Sequence, residues 1–167
     1  MIKKMNIKNL KEPWVMILIG VPMSGKDFFI NNTPNLGNPI VISRDQILLD
    51  VHGSDDYNLA FKSVNQKVVD ENLRKSLIDA GNSTENVIVN MTHMTRKRRI
   101  QNLSYFPNHN KIAVIFPILT EDEYKFRNLK RGSEENKTIP THVLKNMISS
   151  YQTVDKNLEG FDKVISL

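Results

Sequence analysis

Eight residues near the start of the chain, GVPMSGKD from Gly20 to Asp27, have types and spacing suited to holding phosphate. Gly20 and Gly25 allow close backbone approach and conformations that bulkier residues resist. Successive amides of the loop, through Pro22 and Ser24, can then point at phosphate oxygens beside a helix N-terminus. Lys26 falls where an ammonium reaches the β and γ phosphates of a nucleotide. The loop departs from GxxxxGK[ST] at Asp27, where a hydroxyl normally ligates Mg²⁺. A carboxylate is a harder, charged oxygen ligand that Mg²⁺ accepts, but without metal it repels phosphate. Asp27 is therefore either a metal ligand or a defect.

The elements that must position this loop alternate. Val15 to Ile19 is a short apolar run, as expected of a central parallel strand covered on both faces. A helix is predicted from Lys26 to Asn32, stopped by Thr33-Pro34, then a strand from Ile40 to Ser43 and a helix from Arg44 to Val51. Tyr57, Phe61, Val64 and Val68, then Val69, Leu73, Leu77 and Ala80, predict one long amphipathic helix closed by Gly81. Val87 to Met91 reads as a third strand, Thr95 to about Tyr105 as a basic helix with Thr95 at its N-cap, and Lys111 to Ile118 as a fourth strand interrupted late by Pro117. Thr120-Glu121-Asp122-Glu123 predicts a helix start running to about Lys130. RGSEENKT then reads as a mobile loop, Pro140 opens a further helix, and Val164 to Ser166 a final strand. Strands alternating with helices predict an α/β fold with a mostly parallel sheet of four to five strands, its ligands beyond the C-terminal strand ends.

Length and composition agree with this class. The 167 residues, 40% hydrophobic and 25% charged, suit one globular domain over 1–167. Zero cysteines exclude a disulfide framework and thiolate chemistry, and make the cytoplasm the default location. The basic, apolar start MIKKMNIKNLKEPWVMILIG is read as leading into a buried strand rather than as a signal peptide, and no stretch reaches the roughly 20 apolar residues of a membrane span. Net charge is +5, concentrated between Met91 and Arg131, where nine Lys/Arg face three acids. That distribution points to a polyanionic partner, nucleotide or nucleic acid, or else to solvated helix faces.

Four further stretches follow the loop in order: ISRD (Ile42 to Asp45), VIVNMTHMTRKRR from Val87, FRNLKRG (Phe126 to Gly132) and IPTHVLKNMISSY (Ile139 to Tyr151). With the loop, they resemble the kinase domain of 5′-hydroxyl polynucleotide kinases, the end-healing enzymes of phage and animal DNA-repair enzymes. The terminal LEGFDKVISL resembles the close of the animal kinase domain. The resemblance implies a P-loop NTPase fold with a helical lid, and transfer of phosphate from ATP with Mg²⁺ to the 5′-hydroxyl of DNA or RNA. It gives Asp45 the role of taking the proton from the attacking hydroxyl, with Arg44 beside it. Arg127 and Arg131, spaced i, i+4, become lid arginines that clamp phosphates, planar donors being well matched to charge spread over equatorial oxygens. Thr92 and Arg99 fall at acceptor-side positions, and TRKRR could follow a nucleic-acid backbone. No DxDxT phosphatase motif is present, so 3′ end-healing and ligation are expected of separate proteins.

The departures are as specific. Asn90 and Met91 stand where relatives place a carboxylate after the third strand, and Leu48 stands where phage members carry an arginine. Asp27 is then a carboxylate moved to the loop from strand three. His93 reads as a structural histidine. Two other functions fit the residues: a kinase of a small acceptor such as a nucleoside or nucleotide, and a non-catalytic nucleotide- or nucleic-acid-binding module.

Overall fold

A computed structural model describes Ile7 and residues 9–167. The reading of the N-terminal start against a signal peptide falls largely on residues outside those. Five strands form one parallel sheet: β1 (Trp14–Ile19), β2 (Ile40–Ser43), β3 (Val87–Asn90), β4 (Asn110–Ile115) and β5 (Lys163–Ser166), in the order β2-β3-β1-β4-β5. β1 is central and buried along its whole length, which is why WVMILI carries no polar residue.

Its side chains alternate between two cores. Val15, Ile17 and Ile19 pack with Leu73, Leu77 and Ala80 of α4 (Gln66–Gly81) and with Leu103 of α5 (Arg96–Leu103). Trp14, Met16 and Leu18 pack on the other face with Phe29 of α1 (Lys26–Asn32) and with Phe116. Fully burying each large side chain stabilises by about 1.5–3 kcal/mol. The sheet is thus sealed on both faces, and its C-terminal edge is left to carry polar groups.

Two helices differ from expectation for local reasons. The predicted long helix divides into α3 (Tyr57–Ser63) and α4, with Val64 extended and the Asn65 side chain accepting from Lys67 N–H at 3.0 Å. The apolar spacing runs through the break because both pieces cover α2 (Arg44–His52), burying Ala60 and Val69 against Leu48. In the other direction, RGSEENKT is mostly helix: α6 (Glu121–Glu135) continues through it, its last turns spanned by Lys130–Glu134 and Arg131–Glu135 pairs at i, i+4. Its start is the expected one, with Thr120 and Glu123 forming a reciprocal capping box. The Pro140 helix is α7 (Thr141–Ser149), and a short α8 (Lys156–Glu159) was not foreseen. β4 ends at Ile115, short of Pro117, and Thr95 caps α5 through Arg98 N–H. Among the described residues no helix is long and apolar enough to cross a membrane.

Candidate active site

β1 opens directly into the loop Gly20 to Gly25. Gly20 N–H donates to Thr92 O at 3.0 Å, fastening the loop to the end of β3. A Cβ at Gly20 would lie 2.6 Å from Ser24 Oγ and 2.9 Å from Phe116 Cβ, so the chain closes here only without a side chain. Gly25, at φ 102°, turns the backbone into α1. Ser24 Oγ is buried with no hydrogen-bond partner, an orphan inside the turn that a bound phosphate group would satisfy. Lys26 Nζ curls over the loop and donates to Gly20 O at 2.8 Å and Val21 O at 2.7 Å. Burial lowers its pKa to about 8, against the opposing charges of Asp27 and Asp45 and with help from Arg131 and Lys137. The ammonium is held by loop carbonyls that cannot neutralise it, a poised site for an anion.

Asp27 lies in the first turn of α1, and Asn90 Nδ2 donates to its Oδ1 at 2.8 Å. The two departures noted in the sequence are therefore in contact. The amide holds one of the two carboxylate oxygens. Among the described residues no group of three or more His, Cys, Asp or Glu could hold a metal. Mg²⁺ bound mainly by phosphate oxygens and water needs only one or two carboxylates, so Asp27 beside the loop fits that ion.

Asp45 lies in the first turn of α2, whose N-cap is Ser43 at the end of β2. Tyr57 Oη donates to Asp45 Oδ1 at 3.2 Å, and Lys137 Nζ pairs with Oδ2. Lys137 Nζ also sits 4.1 Å above the Tyr57 ring. Burial, then the Asp45 charge, push the phenol well above its usual range, so Tyr57 remains a donor. No local sequence pattern brings either residue to Asp45. Tyr57 was absorbed into an apolar stripe and Lys137 into a loop, and no spacing rule links positions 12 and 92 residues from Asp45.

The lid reaches the loop from above. Arg127 Nη1 donates to Met23 O at 2.7 Å, and Arg131, one turn on, is ion-paired with Glu135. Asn128 between them accepts from Ile139 N–H at 3.0 Å and donates to Ile139 O at 2.8 Å, stitching α6 to the segment that carries Lys137. Val21, Tyr124 and Leu144 form a small core joining loop, α6 and α7.

Two proposed acceptor-side residues are placed otherwise. Arg99 is fully buried: its guanidinium takes Glu159 at 2.6 and 2.8 Å and donates to the carbonyls of His93, Met94, Gln152 and Thr153. It is a strut between β3's end and the C-terminal segment, and substrate does not reach it. Burial raises the Glu159 carboxyl, but the Arg99 hydrogen bonds outweigh it and hold the group below its usual range. Arg44 turns from the site to Asp70 and Gln66, at 2.9 Å each from Nη2. On the basic helix, Lys97 and Arg98 remain exposed. His93 is structural, as expected: buried at φ 50°, its Nδ1 donates to Leu18 O and its Nε2 accepts from Asn102, and burial lowers its pKa to about 4.

The family model described as AAA domain matches residues 15–154. No curated protein sequence matches the chain. Among solved structures, the Pnkp1/Rnl/Hen1 RNA repair complex aligns at TM-score 0.63 with 23% identity, covering 93% of this chain and 49% of that one, so this chain spans about half its length. Kti12 of Chaetomium thermophilum in complex with ADP-AlF3 aligns at 0.59, 14% identical, covering 92% and 88%. A gluconokinase from Sinorhizobium meliloti aligns at 0.54, 14% identical, covering 94% and 83%. At these identities the likeness is one of fold, the α/β P-loop fold expected from the sequence.

Proposed function

The chain belongs to the AAA domain family, and on that premise we propose that it is an ATP-dependent kinase of 5′-hydroxyl ends of DNA or RNA. The observation that carries this reading is the placing of Asp45 at the C-terminal end of β2, across from Lys26 and Asp27 at the end of β1. A donor phosphate and an acceptor hydroxyl have facing positions there.

ATP phosphates occupy the loop, with Lys26 leaving its carbonyl partners for the β and γ oxygens. Asp45 orients the acceptor hydroxyl and takes its proton as the new O–P bond forms and the bond from Pγ to the β-phosphate oxygen breaks. Arg127 and Arg131 meet the charge spread over the transferring group. Mg²⁺, held by Asp27, would supply neutralisation of the phosphate oxygens. Exposed Lys97 and Arg98 favour a nucleic-acid acceptor, since they add cations where a phosphate backbone could run. Separate phosphatase and ligase partners and a cytoplasmic setting complete the reading.

Labelled-phosphate transfer to 5′-hydroxyl oligonucleotides, mononucleosides and mononucleotides tests it. Transfer to oligonucleotides, lost in Asp45→Asn and Lys26→Ala, is the expected result. Transfer to the monomers alone would establish a small-molecule kinase instead, and nucleotide binding with no transfer to any acceptor would establish a binding module.

A further inference from the structure

The pair of residues that the sequence did not bring to Asp45 has a chemistry of its own. Lys137 sits on the carboxylate that faces the acceptor, and its side chain is only 13% exposed although it stands in a surface connection. It rests against the face of Tyr57, and Tyr57 stacks on Phe61 with centroids 6.1 Å apart and rings 25° from parallel. Phe61 is 52% exposed, so an aromatic ledge opens to solvent beside the reacting centre. A cation next to stackable rings is the composition that binds single-stranded nucleic acid.

The other cations near Asp45 have other partners, and in the kinase reading Lys26, Arg127 and Arg131 serve the donor phosphates. Arg44 is bound to Asp70 and Gln66, and Arg127 to the loop carbonyl of Met23. Leu48, one turn after Asp45, is buried in the core between α2 and α4 and offers no charge.

We propose that Lys137, Tyr57 and Phe61 form the acceptor subsite, with Lys137 binding the phosphate on the 3′ side of the reacting nucleoside and the rings stacking its base. This rests on the kinase reading above and assigns the residues that would recognise its acceptor. Lys137 keeps Asp45 neutralised while the subsite is empty. Its flexible four-carbon stem and rotatable ammonium let it exchange the carboxylate for the incoming phosphate.

The test compares kcat/KM for a 5′-hydroxyl dinucleotide and for the matching nucleoside, which lacks the phosphate. Wild-type protein is expected to prefer the dinucleotide. Lys137→Ala is expected to cut that preference about ten-fold or more, as loss of a charge-assisted contact would, and Lys137→Arg to retain most of it. Phe61→Ala, on an exposed side chain, is expected to raise the dinucleotide KM about five-fold or more and to alter kcat less. A Lys137→Ala effect equal on both acceptors overturns the phosphate role, and so does a wild-type enzyme indifferent to the phosphate. Wild-type protein that transfers to no nucleoside or nucleotide acceptor removes the kinase reading, and the subsite with it.

Discussion

Asn90, at the end of β3, donates its side-chain amide to the Asp27 carboxylate at 2.8 Å. The residue that lacks a charge and the residue that has gained one are thus a hydrogen-bonded pair. In this corner of the site the carboxylate stands on the helix after the loop and the amide on the strand.

If that pair is a compensation, restoring the consensus should do harm. Asp27→Ser is expected to lower Mg²⁺-dependent transfer about ten-fold and to raise the Mg²⁺ concentration giving half-maximal rate. The double variant D27S/N90D, which returns the carboxylate to the strand, is expected to recover part of the loss. A single variant more active than wild type would sink the idea.

Lys26 makes nucleotide binding pH-dependent. Its free pKa of about 8 rises when phosphate holds it charged, so binding takes up a proton around and above that pH. Affinity should be flat below pH 7 and fall about ten-fold per unit above pH 8 until the bound group also titrates. Calorimetry in buffers of different ionisation enthalpy measures the uptake directly, and its absence between pH 8 and 9 would contradict this assignment.

Arg99 should matter to stability and not to substrate. Removing one partner of a buried ion pair costs about 3–5 kcal/mol, so Arg99→Met and Glu159→Gln should each lower the urea midpoint markedly. Folded Glu159→Gln at low temperature should keep wild-type KM for every acceptor. A KM defect without a stability defect would return Arg99 to the binding site.

His93 makes the fold acid-sensitive. Its folded pKa of about 4 lies below the unfolded value of 6.5, so the unfolded chain binds the extra proton between them. Stability is therefore complete above about pH 6.5 and declines as pH falls toward 4. Going from pH 7.5 to 5 should remove about 2 kcal/mol through this residue. His93→Gln should flatten that part of the urea-midpoint profile, and an unchanged slope would assign the loss elsewhere.

The sheet and phosphate loop were legible because they rest on local rules. An apolar run of six residues followed by spaced glycines and a lysine can hardly be placed otherwise, and Thr120 to Glu123 spell a capping box. The acceptor side was less legible because its contacts are distant in sequence. Nothing local tells Arg99, which is buried, from Arg98, which is exposed; only the approach of Glu159, 60 residues later, separates them. Lys137 was hidden because it stands in the connection after α6, where nothing local fixes its direction, and its partner Asp45 lies 92 residues away on another element.

The two hydrogen bonds between Asn128 and the Ile139 backbone make one mechanical piece of the arginine-bearing helix and the Lys137 segment. The contacts at the phosphate loop and at Asp45 are consequently geared together. Arg127 on Met23 O and Lys137 on Asp45 are the two far contacts of that piece, so displacing α6 would break both at once.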